Sequence, residues 1–156
     1  DYFHLRGQDN LHRYRPLSAI AVRVHPADAL FEVLARIAAV RVTGSVPVVS
    51  LPEGLHNAAT AFLDTVEGRE ILGGAVVRRQ SDEALIASMA VVPRIRYAAP
   101  DRVPEAVLAA AARRGYYIPR SPVLMAGRPE LLHYVQNQSV CDTYHRYGNL
   151  GDRAVL

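Results

Sequence analysis

An α/β fold built on a mainly parallel sheet is predicted by three observations. Short, β-branched apolar runs of about six residues recur along the chain. Each is followed by a segment of about a dozen residues whose apolar positions fall three and four apart, the spacing of one helical face. Proline, glycine, serine and aspartate punctuate the joints between them. Strands that alternate with helices are joined by right-handed crossovers, which lays the strands parallel and places helices over both faces of the sheet. At 156 residues, 50% of them apolar, the chain is long enough for one sizeable core and too short to divide comfortably into two.

Residues 1–18 hold Tyr2, Phe3, His4, His12 and Tyr14 without helical or strand periodicity and read as an extended N-terminal arm up to the break near Pro16. Ala19 to Val24 is the first strand, and after His25-Pro26 the positions Leu30, Val33, Leu34 and Ile37 form a helical face. Val46 to Leu51 is the second strand, Pro52-Glu53-Gly54 a turn, and Ala59, Phe62, Leu63 and Val66 the buried stripe of a second helix. Ala75 to Arg79 is the third strand. Ser81 is placed to cap the following helix, with Asp82 and Glu83 in its first turn and Leu85, Ile86 and Met89 facing inward. Ile95 to Ala98 is extended, Pro104 suits a first helical turn, Val107, Leu108 and Ala111 share a face, and Gly115 ends the helix after Arg113 and Arg114. Val123 to Met125 is expected as a fifth strand, followed by a helix opening at Pro129-Glu130 and running through Leu131, Leu132 and Val135. The prediction is a Rossmann-like, doubly wound domain over residues 19–138 with a mainly parallel five-stranded sheet, the arm before it, and an interface tail over 139–156.

Charge and composition narrow the function classes. The formal charge of +3 comes from arginine alone, since the chain contains no lysine, and the arginines are interspersed with acids apart from the pairs Arg78-Arg79 and Arg113-Arg114. No continuous basic stripe follows a phosphate backbone, so nucleic acid is not an expected partner. No apolar stretch reaches about 20 residues, so no transmembrane span is expected. The start at Asp1 resembles a cut end and carries no targeting pattern. The single cysteine, Cys141, has no partner for an internal disulfide, which points to a reducing compartment, the cytoplasm.

Cofactor and catalytic signals are sparse. A dinucleotide needs glycines in the first strand-to-helix turn so that backbone can approach the pyrophosphate. That turn is His25-Pro26-Ala27-Asp28, with no glycine, a proline lacking its amide donor, and a carboxylate where phosphates would sit. No cofactor-binding residue and no metal ligand is therefore assigned. Cys141, with His133 or His145 as base, is the one nucleophile considered. It follows the last expected helix instead of opening one, so nothing in sequence activates it. The six histidines lack ligand spacing. Asp101, Glu105 and Glu130 stand where helices begin, and capping accounts for them.

Three stretches resemble a known family. Gly7-Gln8-Asp9-Asn10-Leu11 through Arg13-Tyr14-Arg15-Pro16-Leu17, the segment ending Ala110-Ala111-Ala112-Arg113-Arg114-Gly115, and Leu131-Leu132-His133-Tyr134-Val135 through Gln138-Ser139-Val140 to Tyr144-His145-Arg146-Tyr147-Gly148-Asn149-Leu150 are similar to the C-terminal domain of long proline utilization A proteins. Those bifunctional enzymes join a flavin-dependent proline dehydrogenase to an NAD-dependent L-glutamate γ-semialdehyde (1-pyrroline-5-carboxylate) dehydrogenase. The longer members append a further domain of the aldehyde dehydrogenase superfamily fold. The resemblance implies a Rossmann-like domain without catalytic residues, a lid over the cavity through which the intermediate passes, with NAD and FAD held elsewhere in the parent enzyme. Leu72-Gly73-Gly74 departs from the aldehyde dehydrogenase general-base motif because Glu70 is one residue too far upstream, and Cys141 lacks the Gly-Gln lead-in of that family's nucleophile. Two other readings stay open: a fragment of an active NAD-dependent aldehyde dehydrogenase, and a free-standing α/β domain that binds a small ligand.

Tyrosine and arginine concentrate at both ends, and these side chains anchor interfaces because each offers a flat surface and a hydrogen-bonding tip. Tyr14 in the arm and Tyr144, His145, Arg146, Tyr147 and Asn149 in the tail are the expected interface residues. Their expected partners are preceding catalytic domains of the same polypeptide or another copy in a homo-oligomer.

Overall fold

The computed structural model describes residues 7–144. They divide into two compact units, residues 16–135 and a second formed by 7–15 with 136–144.

The larger unit is a layered α/β domain. Strand β2 (Ala19–Arg23) lies inside a parallel sheet, and helix α1 (Leu30–Val42) leads to β3 (Val46–Leu51). Helices α2 (Ala58–Leu63) and α3 (Val66–Leu72) precede β4 (Val76–Arg79). Helix α4 (Asp82–Ser88) leads to the short β5 (Ile95–Arg96), and α5 (Glu105–Arg113) and α6 (Gly127–Leu131) complete the unit. The strand order is β4-β3-β2-β5, all parallel, with Ala21 opposite both Val48 and Ile95. The chain winds outward from β2 in one direction, then returns to add β5 on the other side.

Period-two alternation sorts the core into two layers. Ile20, Val22 and Val24 pack with Val33, Ile37 and Val40 of α1 and with Ala59, Leu63 and Leu72. Ala21 and Val48 point the other way, against Leu85 of α4, Met89 at its C-terminal cap, and Val107, Ala110 and Ala111 of α5. Helices thus cover both sides, as the alternating sequence pattern predicts. Edge strand β4 is the exception, with Val76 and Val77 43% and 44% exposed. Ser81 caps α4 by accepting from the Ala84 amide, and Gly115, at φ 69°, turns the chain out of α5.

The structure differs from the sequence reading in several places. The parallel sheet has four strands. Residues 123–125 form none: the Val123 amide makes a single backbone bond, to Ala98 O (2.8 Å), and it is not repeated two residues on as a ladder requires, while the Leu124 amide donates to the Glu130 carboxylate (2.9 Å). The expected second helix is two helices. Thr65 restarts the backbone by accepting from the Gly68 amide (3.0 Å), which leaves Phe62 half-buried and Val66 69% exposed. Pro104 stands just before α5 as its cap position, and the helix expected after Pro129 is a single turn of α6 with a 3₁₀ turn over Leu132–Tyr134.

The smaller unit is a two-stranded ribbon of β1 (Gln8–Pro16) and β6 (Val135–Thr143), so residues 8–16 of the expected arm and 139–143 of the expected tail are strands where the sequence shows no periodicity. The Tyr144 amide donates to Gly7 O (3.1 Å), and Arg13 Nε donates to Gln138 Oε1 (2.7 Å). Residue numbers rise on one strand as they fall on the other, which makes the pair antiparallel.

Candidate functional site

In a sheet of this order, strands β2 and β5 send their connections to opposite faces, and the crevice beyond their carboxyl ends is where such folds bind ligands. Here that crevice is occupied by the chain's own guanidinium groups. Arg36 enters from α1, completely buried, with Nη1 donating to the carbonyls of Arg23 (2.7 Å) and Arg96 (3.1 Å), the last residues of the two diverging strands. Its Nε donates to Glu32 O (2.8 Å) and its Nη2 to Asp28 Oδ2. Burial pulls the Arg36 guanidinium below its ordinary pKa, and the charge and hydrogen bond of Asp28 oppose the shift. An arginine stays protonated through such a change, so the site is a buried ion pair.

Asp28 is the hub on this side. Oδ2 also accepts from the His25 amide (3.0 Å), while Oδ1 accepts from Arg102 (2.7 Å), which reaches Glu32 Oε2 as well (2.7 Å). Burial works to raise the Glu32 pKa. The Arg102 hydrogen bond and the Ala29 amide outweigh it and hold the carboxyl below the usual range. Asp28 is thus the counter-ion of two arginines at the entrance of α1, where a pyrophosphate would otherwise sit.

A second ion pair lies behind the first. Arg96 donates from Nε and Nη2 to the Glu130 carboxylate (3.1, 2.9 and 2.9 Å) and from its terminal nitrogens to the carbonyls of Tyr97, Ser121 and Pro122. Glu130 also accepts from the Tyr134 hydroxyl (2.7 Å) and the Leu124 amide. Burial, then the adjacent Glu130 charge, pushes the Tyr134 hydroxyl well above its ordinary pKa, so it remains a donor. The capping role read for Glu130 is therefore corrected: the residue is 5% exposed and its side chain is turned inward to Arg96. On the other face, Arg23 binds Ser50 Oγ (3.0 Å), Gln80 O (2.9 Å) and Asp82 (2.8 Å).

Sequence reasoning passed over Arg36 and Arg96 because arginine is ordinarily a surface residue. One signal was available: Arg36 lies between Val33, Ile37 and Val40 on the apolar face of α1. The residues that were singled out fall elsewhere. Cys141 is exposed on β6, with Thr143 Oγ1 at 3.9 Å. His133 Nε2 is 2.9 Å from Ser121 Oγ, and its Nδ1 is 3.4 Å from the Tyr117 hydroxyl. Burial, reinforced by the charge of Arg96, lowers the His133 pKa against the opposing charge of Glu130, and a phenol stands at Nδ1 where an orienting carboxylate would be needed. That arrangement opposes the proton uptake a general base must perform. Among the described residues no group of three or more His, Cys, Asp and Glu could hold a metal ion, and no helix is long and apolar enough to cross a membrane.

Tyr14, on β1, is 54% exposed and meets His12 edge-on with ring centroids 5.2 Å apart. Tyr144 closes the ribbon through its amide, while His145, Arg146, Tyr147 and Asn149 lie outside the described residues.

No protein-family model matches the chain, and no curated protein matches it. Among solved structures the chain is similar to proline utilization A (PutA) from Corynebacterium freiburgense, at 26% identity over 94% of this chain, with a TM-score of 0.49. It spans 11% of the length of that chain.

Proposed function

We propose that this chain is a non-catalytic module of a proline-catabolic bifunctional oxidoreductase, converting proline to glutamate by way of 1-pyrroline-5-carboxylate and its semialdehyde, and that it serves as a lid and interface element for channelling that intermediate. The observation that carries this reading is the filled switch point. Arg36 and Arg96, each with its own buried carboxylate partner, take up the crevice that a dinucleotide would need. A fold of this kind without an open crevice serves best as a scaffold, in agreement with the motifs similar to the appended domain of long proline utilization A proteins. NAD and FAD then belong to the catalytic domains of the parent, and the module works in the cytoplasm with them.

The ribbon supports the docking half of the proposal. A two-stranded sheet is marginal in water without something packed against it, and most residues of β1 and β6 are exposed, among them Leu11, Tyr14 and Val140. Exposed aromatic and aliphatic side chains on a two-stranded ribbon suit a partner surface.

Two results are expected. Calorimetric titration of the chain with NAD or NADP should give no binding in the low micromolar range, about −8 kcal/mol; a dissociation constant there would mean that the buried ion pairs open to admit a cofactor, and would favour the dehydrogenase-fragment reading. In the full-length parent, replacing Tyr144, Arg146 and Tyr147 together by alanine should slow coupled conversion of proline to glutamate or introduce a lag as intermediate escapes, with the separate half-reactions unchanged. Untouched coupled turnover would overturn the lid-and-interface role.

A further inference from the structure

The parallel sheet stops at β4, whose outer edge pairs with no described strand. We infer that this edge takes an acidic, extended segment of a partner protein as a fifth strand. The backbone is set for it. The Gln80 amide donates to Leu51 O (2.9 Å), and successive amides of a strand point to alternate sides, so those of Arg78 and Val76 face β3 as well. The amides and carbonyls of Val77 and Arg79 therefore face outward, and no turn, loop or side-chain bond reaches them from any described residue. The register from Val48↔Val76 to Leu51↔Arg79 runs without a bulge, and the strand holds no proline or glycine. Two of the usual devices that close an edge to pairing, proline and a bulge, are thus missing here.

The side chains say which strand fits. Val76 and Val77 point to opposite faces of the sheet and both are exposed, so neither helical layer covers this strand. Arg78 and Arg79 also point to opposite faces and are exposed. Arg79 donates one N–H to Leu55 O (3.1 Å), Arg78 has no bond to any described residue, and neither has a carboxylate partner among them. Asp82, a few residues on, is already held by Arg23 (2.8 Å).

The edge therefore presents two β-branched apolar residues followed by two positive charges without counter-ions. Cross-strand neighbours of opposite charge stabilise a pair of strands, and like charges oppose it. Two copies of the chain joined along β4 would gather the arginines of both and no acid, so charge turns a second copy away. A strand in which two carboxylates adjoin two apolar residues meets the opposite situation on both faces at once. Main-chain hydrogen bonds then supply affinity and the side-chain pairs supply selectivity, the usual division in strand addition. This inference does not depend on the lid role.

The test is an NMR titration of the ¹⁵N-labelled chain with the capped peptide Thr-Glu-Glu-Val-Val-Thr, whose antiparallel register sets its acids against Arg79 and Arg78 and its valines against Val77 and Val76. The control is Thr-Lys-Lys-Val-Val-Thr. Saturable binding of the acidic peptide alone is expected. Hydrogen exchange should slow at the Val77 and Arg79 amides and stay unchanged at Val76 and Arg78, an alternation that a loose electrostatic contact would not produce. Arg78→Glu should weaken the acidic peptide about fivefold or more, the size of a lost cross-strand pair, and admit the basic one, with the melting temperature unchanged because Arg78 has no bond in the fold. Val77→Pro removes an outward amide without touching the ladder to β3 and should abolish binding. Equal affinity for the two peptides, no protection at Val77 and Arg79, or protection that rises with protein concentration in the absence of peptide, the mark of a second copy, would each overturn the inference.

Discussion

Glu130→Ala is expected to lower stability by about 3–5 kcal/mol, the usual cost of removing one partner of a buried ion pair. The loss exceeds that of one contact because the carboxylate serves three donors at once: the Arg96 guanidinium, the Tyr134 hydroxyl and the Leu124 amide. Arg96, with 0% exposure, would keep its charge with only carbonyls around it. Against a total of about 5–15 kcal/mol for a domain, this is a large fraction, and the melting temperature should fall by roughly 10 °C or more. Urea unfolding of Glu130→Leu, of Arg96→Met and of the two combined completes a double-mutant cycle beside Glu130→Ala. The double variant should recover much of the loss, since an apolar pair carries no desolvation penalty. If Glu130→Ala unfolds within about 0.5 kcal/mol of the wild type, the range of ordinary surface changes, the side chain does not hold the position described for it.

Gly68→Ala is the second large effect. Its backbone is not left-handed, so the constraint is space: a Cβ would stand 2.1 Å from Phe62 O and 2.8 Å from Leu63 Cα. Both are backbone atoms of α2, which cannot swing aside as a side chain would. The substitution must separate α3 from α2 and loosen the Thr65 cap that joins them. Overpacking of this kind costs about 1–3 kcal/mol, and the upper end is expected because backbone must move. Gly127→Ala is the control, with nothing within 4 Å of its Cβ; it should be neutral or stabilise α6 by up to about 1 kcal/mol. Thermal unfolding of the two variants side by side distinguishes a steric from a general glycine effect, and equal shifts would refute the close approach.

What the sequence disclosed about this fold was whatever is decided within a dozen residues. The run from Ala19 to Val24 and the face of Leu30, Val33 and Ile37 are local patterns, and the structure places Ala19–Arg23 in β2, with Val24 just beyond it, and the face in α1. The division of α2 from α3 was also locally signalled, because Thr65 followed by Glu67 and Gly68 is a cap with an acidic first turn; continuous apolar spacing through Phe62 and Val66 masked it. The ribbon was illegible for a different reason. Its strands have mostly exposed residues on both faces, so neither shows the alternation that marks a half-buried strand, and the partner of each lies more than a hundred residues away. The ion pairs at the switch point were hidden likewise: Arg96 and Glu130 are 34 positions apart, and Glu130 beside Pro129 satisfies the local rule for a helix start equally well. Asp28 is legible as a charge before α1, but its counter-ions Arg36 and Arg102 stand 8 and 74 positions away.

The pairing of Gly7 with Tyr144 sets the order of events as the chain is made. Every hydrogen bond of that ribbon waits for residues 136–144, which follow the last of the 120 residues from Pro16 to Val135. At the usual pace of synthesis, about 5–20 residues per second, β1 stays without its partner for roughly 6–24 s while the parallel sheet behind it is completed. During that interval the newly made strand carries two open edges, and it is then that a chaperone or a neighbouring nascent chain would find it available.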